Sequence, residues 1–136
     1  MASLTVPTIS IVVGEGSSGG ALALGLGNKV IMLENAIYSI LSPEGYASIL
    51  WKDSSRAKEA AEVMKLTAKD LKELKVIDKI IKEPEGDEQE SFNTISENLK
   101  KEILKIIKEY SKKSPEEIKE ERYQKFRNMG EYKIIQ

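Results

Sequence analysis

Val12-Val13-Gly14-Glu15-Gly16-Ser17-Ser18-Gly19-Gly20-Ala21-Leu22-Ala23-Leu24-Gly25 is the stretch on which the reading of this chain turns. The stretch holds five glycines and two serines, most of them between an apolar run ending at Val13 and a short helix of small residues. Glycine has no Cβ, so a ligand can come close to the main chain, and a helix start leaves backbone N–H groups without intrahelical partners. A helix N-terminus also carries roughly half a positive charge, so the turn is expected to receive an anion or a developing oxyanion.

Composition narrows the chemistry that can take place there. With 136 residues, 40% of them apolar, the chain suits one small domain with a modest core. A net charge of −1 and a pI near 5.7 give no electrostatic basis for binding nucleic acid. No run of 18 apolar residues and no cationic leader are present, so no membrane partner is expected and the chain is placed in the cytoplasm. Cysteine and histidine are both absent. That removes disulfides, thiolate chemistry and every Ser-His-Asp or Cys-His arrangement, and leaves only carboxylates and carbonyls as metal ligands.

Charge divides the chain. Of 21 basic and 22 acidic side chains, only Glu15, Lys29, Glu34 and Glu44 fall within the first 50 residues. The first part is therefore expected to be buried on nearly all sides and the remainder to be a helical surface. So apolar a beginning reads as a fold entered midway, with earlier material missing or supplied by another chain; a solvated edge strand at residues 6–13 would count against that.

In chain order, residues 6–13 read as a buried parallel strand with Pro7 near its start, residues 14–18 as a turn, and Gly19 to Leu24 or Leu26 as a helix closed by Gly27-Asn28. Residues 29–34 and 36–41 form two more strands joined by a bend at Asn35. Ser42-Pro43-Glu44 starts a helix: Ser42 caps it, Pro43 fits the first position and Glu44 complements the dipole. Helices follow from Ser54 or Ser55 and from Thr67, then a strand over 76–81. Residues 85–92 read as an acidic connector between a core, 1–84, and a helical extension, 93–136. In that extension Thr94-Ile95-Ser96-Glu97 and Ser114-Pro115-Glu116-Glu117 are capping boxes.

Three readings compete for the glycine turn. Gly14-x-Gly16-x-x-Gly19 matches the dinucleotide-binding fingerprint, with Glu34 twenty residues after Gly14 for a ribose, although the strand–helix alternation of a doubly wound sheet does not continue. Gly16-x-Ser18-x-Gly20 matches a nucleophile elbow, which fails because Ser18 has no histidine to act as base. The plain alternative is that the glycines serve only tight turning and packing.

A longer resemblance separates them. The glycine stretch, followed by Val30-Ile31-Met32-Leu33-Glu34-Asn35 and by Tyr38-Ser39-Ile40-Leu41-Ser42-Pro43-Glu44-Gly45-Tyr46-Ala47-Ser48-Ile49-Leu50-Trp51-Lys52, resembles the alpha subunit of bacterial acetyl-CoA carboxylase carboxyltransferase. The similarity continues through Leu66-Thr67-Ala68, residues 71–78 and Arg122-Tyr123-Gln124-Lys125-Phe126, and it covers only the later part of that subunit. It implies an α/β, crotonase-like ββα spiral, partial here, with C-terminal helices. It also implies transfer of a carboxyl group from carboxybiotin, carried on the biotin carboxyl carrier protein, to acetyl-CoA to give malonyl-CoA. In the family the glycine pair matching Gly19 and Gly20 supplies backbone oxyanion donors for the biotin ureido oxygen, and biotin N1 takes the methyl proton.

By the same resemblance Gly16, Ser17, Ser18 and Ala21, with Ser42, Pro43, Glu44 and Gly45, line the biotin side. The implied partners are the carboxyltransferase beta subunit, the carrier protein and the CoA thioesters. The fragment itself is expected to self-associate and to be inactive alone. The zinc ribbon belongs to the beta subunit, so no metal is expected in this chain. Three departures affect local loops: Ser17 stands where glycine is usual, Tyr46 where cysteine is commoner, and the acidic 85–90 stretch where the family has a glycine- and histidine-bearing loop.

Overall fold

The β-branched run of residues 6–13 forms β1 (Ile9–Val12), and a second strand, β2 (Glu15–Ser17), precedes α1 (Ser18–Leu24). The order then recurs as β3 (Lys29–Leu33), β4 (Ile37–Ser39) and α2 (Pro43–Tyr46). The computed structural model describes residues 1–86 and 88–130. First strands of successive units lie parallel in the order β1-β3-β5, with β5 at Lys79–Ile81, while β2 pairs with β4, also parallel. Each unit thus gives one strand to each sheet, and the chain advances as a partial ββα spiral. Because β3 and β4 belong to different sheets, the link at Asn35 is a bend and not a hairpin.

β3 is the middle strand, and Val30, Ile31, Met32 and Leu33 are all buried, the continuous apolar run of a parallel strand covered on both faces. Ala68 and Leu71 of α4 (Ala68–Glu73) pack on it, with Ile106 and Tyr110 of α5 (Glu88–Tyr110) and Ile118 of α6 (Pro115–Arg127). Local signals placed the helix starts. Thr67 Oγ1 accepts from the Asp70 N–H at 3.3 Å, and Ser114 and Glu117 close the capping box, the Ser114 N–H donating to Glu117 Oε2 at 2.6 Å.

Several expectations change. Residues 14–18 are not all turn, since Glu15, Gly16 and Ser17 extend as β2 against Ile37, Tyr38 and Ser39. Helix α1 ends at Leu24, with Gly25 rather than Gly27 at its C-cap. After one turn of α2 the helix widens into a π-turn, Ala47–Trp51, closed by Lys52 at φ 58°. The strand predicted over 76–81 begins only at Lys79, because Lys75 (φ 59°) ends α4 and the Val76 N–H bonds back to Leu71 O at 2.9 Å. Helix α5 starts at Glu88, inside the predicted connector and before the Thr94 box; Asp87 and residues 131–136 lie outside the described residues.

Nor is the first part buried on all sides. β1 is a half-buried edge strand, and Val6, Val13, Leu22, Leu24 and Ile40 are exposed.

Candidate functional site

β2 and β4 run parallel with Ser17 opposite Ser39, so the helices that follow them, α1 and α2, leave the same end of the two-stranded ribbon. The turn into α1 is made at Ser18, which takes φ 63°, a left-handed conformation uncommon for a residue with a Cβ. Ser17 occupies the N-cap position without a side-chain cap bond, and Ser18, Gly19 and Gly20 are exposed. The N–H groups of this first turn are thus not consumed by a capping side chain.

The glycines of the turn divide by what surrounds them. A Cβ on Gly16 would lie 3.0 Å from Tyr38 Cδ2 and 3.1 Å from Val12 Cγ1, and one on Gly25 would lie 2.1 Å from the Tyr38 hydroxyl. At Gly19 and Gly20 an added Cβ meets nothing within 4 Å. Packing therefore explains glycine at 16 and 25 and leaves it unexplained at 19 and 20.

Two hollows flank the turn. One, of about 340 Å³, is lined by Glu15, Gly16, Ala21, Tyr38 and the length of β1; the other, of about 210 Å³, is lined by Ser18, Leu22, Tyr38, Ile40 and Leu71. The structure thus brings Gly16, Ser18 and Ala21 together around Tyr38. Neither hollow takes in Ser42, Pro43, Glu44 or Gly45. Ser42 Oγ accepts from the Gly45 N–H at 3.1 Å, Pro43 opens α2, and α2 packs on α3 (Ala57–Met64). These four residues form a working helix cap at the same end of the ribbon as the turn.

Glu34 is occupied elsewhere: its carboxylate pairs with Lys82 at 3.5 Å and accepts the Glu83 N–H at 3.3 Å. Among the described residues no cluster of three carboxylates forms a metal site, and no helix is long and apolar enough to cross a membrane. Tyr38 escaped the sequence reading, since its place opposite Gly16 exists only once the strand register is known.

A spiral of parallel ββα units with a glycine turn at a strand-to-helix elbow defines a crotonase-like protein, and the likeness to solved structures agrees. The 12S transcarboxylase, in a structure with methylmalonyl-coenzyme A bound, matches with a TM-score of 0.60 and 21% identity, over 80% of this chain and 21% of that one. The chain belongs to the acetyl co-enzyme A carboxylase carboxyltransferase-like family, whose pattern it matches over residues 1–130.

Among curated relatives, the carboxyl transferase subunit alpha of Clostridium acetobutylicum is 54% identical over 97% of this chain and 48% of its own length. That of Clostridium perfringens is 58% identical over 93% of this chain and 46% of its own. A beta/alpha protein of Natranaerobius thermophilus is 56% identical over 97% of this chain and 22% of its own length. The chain thus spans about half the length of its alpha-subunit relatives.

Proposed function

We propose that this chain is part of the carboxyltransferase component of acetyl-CoA carboxylase, moving the carboxyl group of carboxybiotin to acetyl-CoA to form malonyl-CoA. The observation that carries the reading at residue level is the open, uncapped first turn of α1 at Gly19 and Gly20. When the N1–carboxyl bond of carboxybiotin breaks, CO₂ leaves and the electron pair spreads from N1 onto the ureido oxygen. Two fixed N–H groups aimed at that oxygen stabilise it without a titrating side chain, so a chain with no histidine or cysteine can do this work. N1 then accepts a proton from the acetyl methyl group, and the resulting carbanion attacks CO₂. Ser17, Ser18 and Ala21 shape the biotin side of the turn, and Gly16 supports it by packing.

The beta subunit supplies the acyl-CoA half of the site, and the biotin carboxyl carrier protein delivers the cofactor. The test is reconstitution: the full-length alpha subunit with its beta partner converts malonyl-CoA and biotin to acetyl-CoA and carboxybiotin, while residues 1–136 alone are silent. The isolated chain should also self-associate through the exposed edge of β1 and the apolar side chains around Ile40. Turnover by the isolated chain, or a monomer by light scattering over a wide concentration range, would contradict this reading. A nucleotide-binding module using Gly14, Gly16, Gly19 and Glu34 requires instead that NAD or ADP bind in titration, and the carboxyltransferase reading expects no such binding.

Ser42→Ala tests the second helix start. Losing the Oγ bond to Gly45 N–H is expected to cost about 1 kcal/mol of stability. If α2 also shapes the biotin pocket, the Michaelis constant for biotin rises while that for malonyl-CoA stays fixed. Equal effects on both substrates, or on neither, remove α2 from the site.

A further inference from the structure

We infer that Tyr38 is a positioning residue of the glycine turn, a strut that fixes the angle between β2 and α1 and so the direction of the Gly19 and Gly20 N–H groups. This rests on the reading of those two glycines as oxyanion donors. Helix α1 has seven residues, none of them buried, and no side-chain cap. So short a helix is marginal in water by itself, so its orientation has to come from outside. Its junction with β2 passes through Ser18 at φ 63°, a conformation that a residue with a Cβ keeps only where its surroundings hold it.

Tyr38 provides that hold from β4. It stands opposite Gly16 in the ribbon, and its ring fills the space beside Gly16, with its hydroxyl end filling that beside Gly25. One side chain thus packs on the middle of β2 and on the far end of α1. Its hydroxyl donates to Ala21 O at 3.1 Å, the same carbonyl that accepts the Gly25 N–H at 2.8 Å. Burial raises the Tyr38 pKa, so the hydroxyl keeps its proton and remains a donor at neutral pH. On its own main chain the Tyr38 N–H donates to Leu66 O at 3.2 Å, which anchors the strut to the segment leading into α4. Ser10 Oγ donates to Leu24 O and secures the last turn of α1. Catalytic donors act only when held within about half an ångström of the productive position, and Tyr38 bridges both elements whose angle sets that position.

The test uses Tyr38→Phe in the full-length alpha subunit assembled with its beta partner, beside Gly20→Val in the same assembly. Phe keeps the ring and removes only the bond to Ala21 O. The expected result is a kcat lower by on the order of ten-fold with the Michaelis constant for malonyl-CoA unchanged. Amide exchange over Leu22–Gly25 should also speed up several-fold, the scale of one net hydrogen bond, while β3 stays protected. A purely structural tyrosine would lower the melting temperature and leave kcat per assembled enzyme and the exchange of α1 alone. Normal kcat in Tyr38→Phe beside an inactive Gly20→Val overturns the strut and leaves the donor reading standing. An active Gly20→Val removes the donor reading, and the strut with it.

Discussion

Gly19→Val and Gly20→Val, each in the full-length subunit assembled with its beta partner, are expected to lower malonyl-CoA formation by about 10²–10³, as much as losing one oxyanion donor, because the side chain keeps the ureido oxygen away from N–H groups that themselves remain. Folding is not at stake. A Cβ at either position meets nothing within 4 Å, and neither glycine has a positive φ. Helix propensity favours valine over glycine, so the substitution does not weaken α1. What the branched side chain fills is the open space over the first turn, where the ureido oxygen is proposed to sit. Size-exclusion chromatography should therefore show normal assembly while the assay shows almost no turnover. Near-normal turnover in both variants would remove Gly19 and Gly20 from the chemistry.

Gly16→Ala provides the contrast. Its Cβ would press on Tyr38 and Val12, so a loss of activity there would come with a loss of stability, as expected of a packing position.

The elements legible in the sequence are those fixed by short-range chemistry. β3 could be read because a strand covered on both faces must be apolar throughout, and Val30, Ile31, Met32 and Leu33 are. Helices α4 and α6 could be read because Thr67 and Ser114 satisfy first-turn N–H groups within three residues of themselves. β2 could not. Glu15, Gly16 and Ser17 have poor strand propensity, and only the parallel partner Ile37–Ser39 extends them. The start of α5 is not legible either, since the local box at Thr94 marks a helix start while the helix itself continues back to Glu88. At the site, the glycines could be located from sequence but not sorted. Which of them are held by packing and which lie open depends on where Tyr38 lies, and that is decided by strand register across 22 residues of chain.

Arg122 is the residue whose removal is expected to cost the most stability, and nothing in the local sequence of α6 marks it. Only 2% of it is exposed, yet no carboxylate forms an ion pair with it among the described residues. Its guanidinium instead donates to Asn28 Oδ1 from Nε at 3.1 Å and from Nη2 at 2.7 Å, and to the carbonyls of Leu4 at 2.7 Å and Val6 at 2.8 Å. Asn28, itself buried, passes the link on. Its Oδ1 accepts the Thr8 N–H at 3.1 Å, and its Nδ2 donates to Ile118 O at 2.8 Å. One side chain of α6 thereby ties the segment entering β1 to the turn entering β3.

Arg122→Met should therefore unfold with a loss of about 3 kcal/mol or more, since it removes several charge-assisted hydrogen bonds, to Asn28 Oδ1 and to the carbonyls of Leu4 and Val6, that methionine cannot replace. Arg122→Lys should recover less than half of that loss, because a single ammonium cannot reproduce the planar fork that reaches Asn28 and two carbonyls at once. Urea denaturation of the three proteins measures this directly. A loss under 1 kcal/mol in Arg122→Met, or full recovery by lysine, would show that the network is not what holds the C-terminal helix to the first strand.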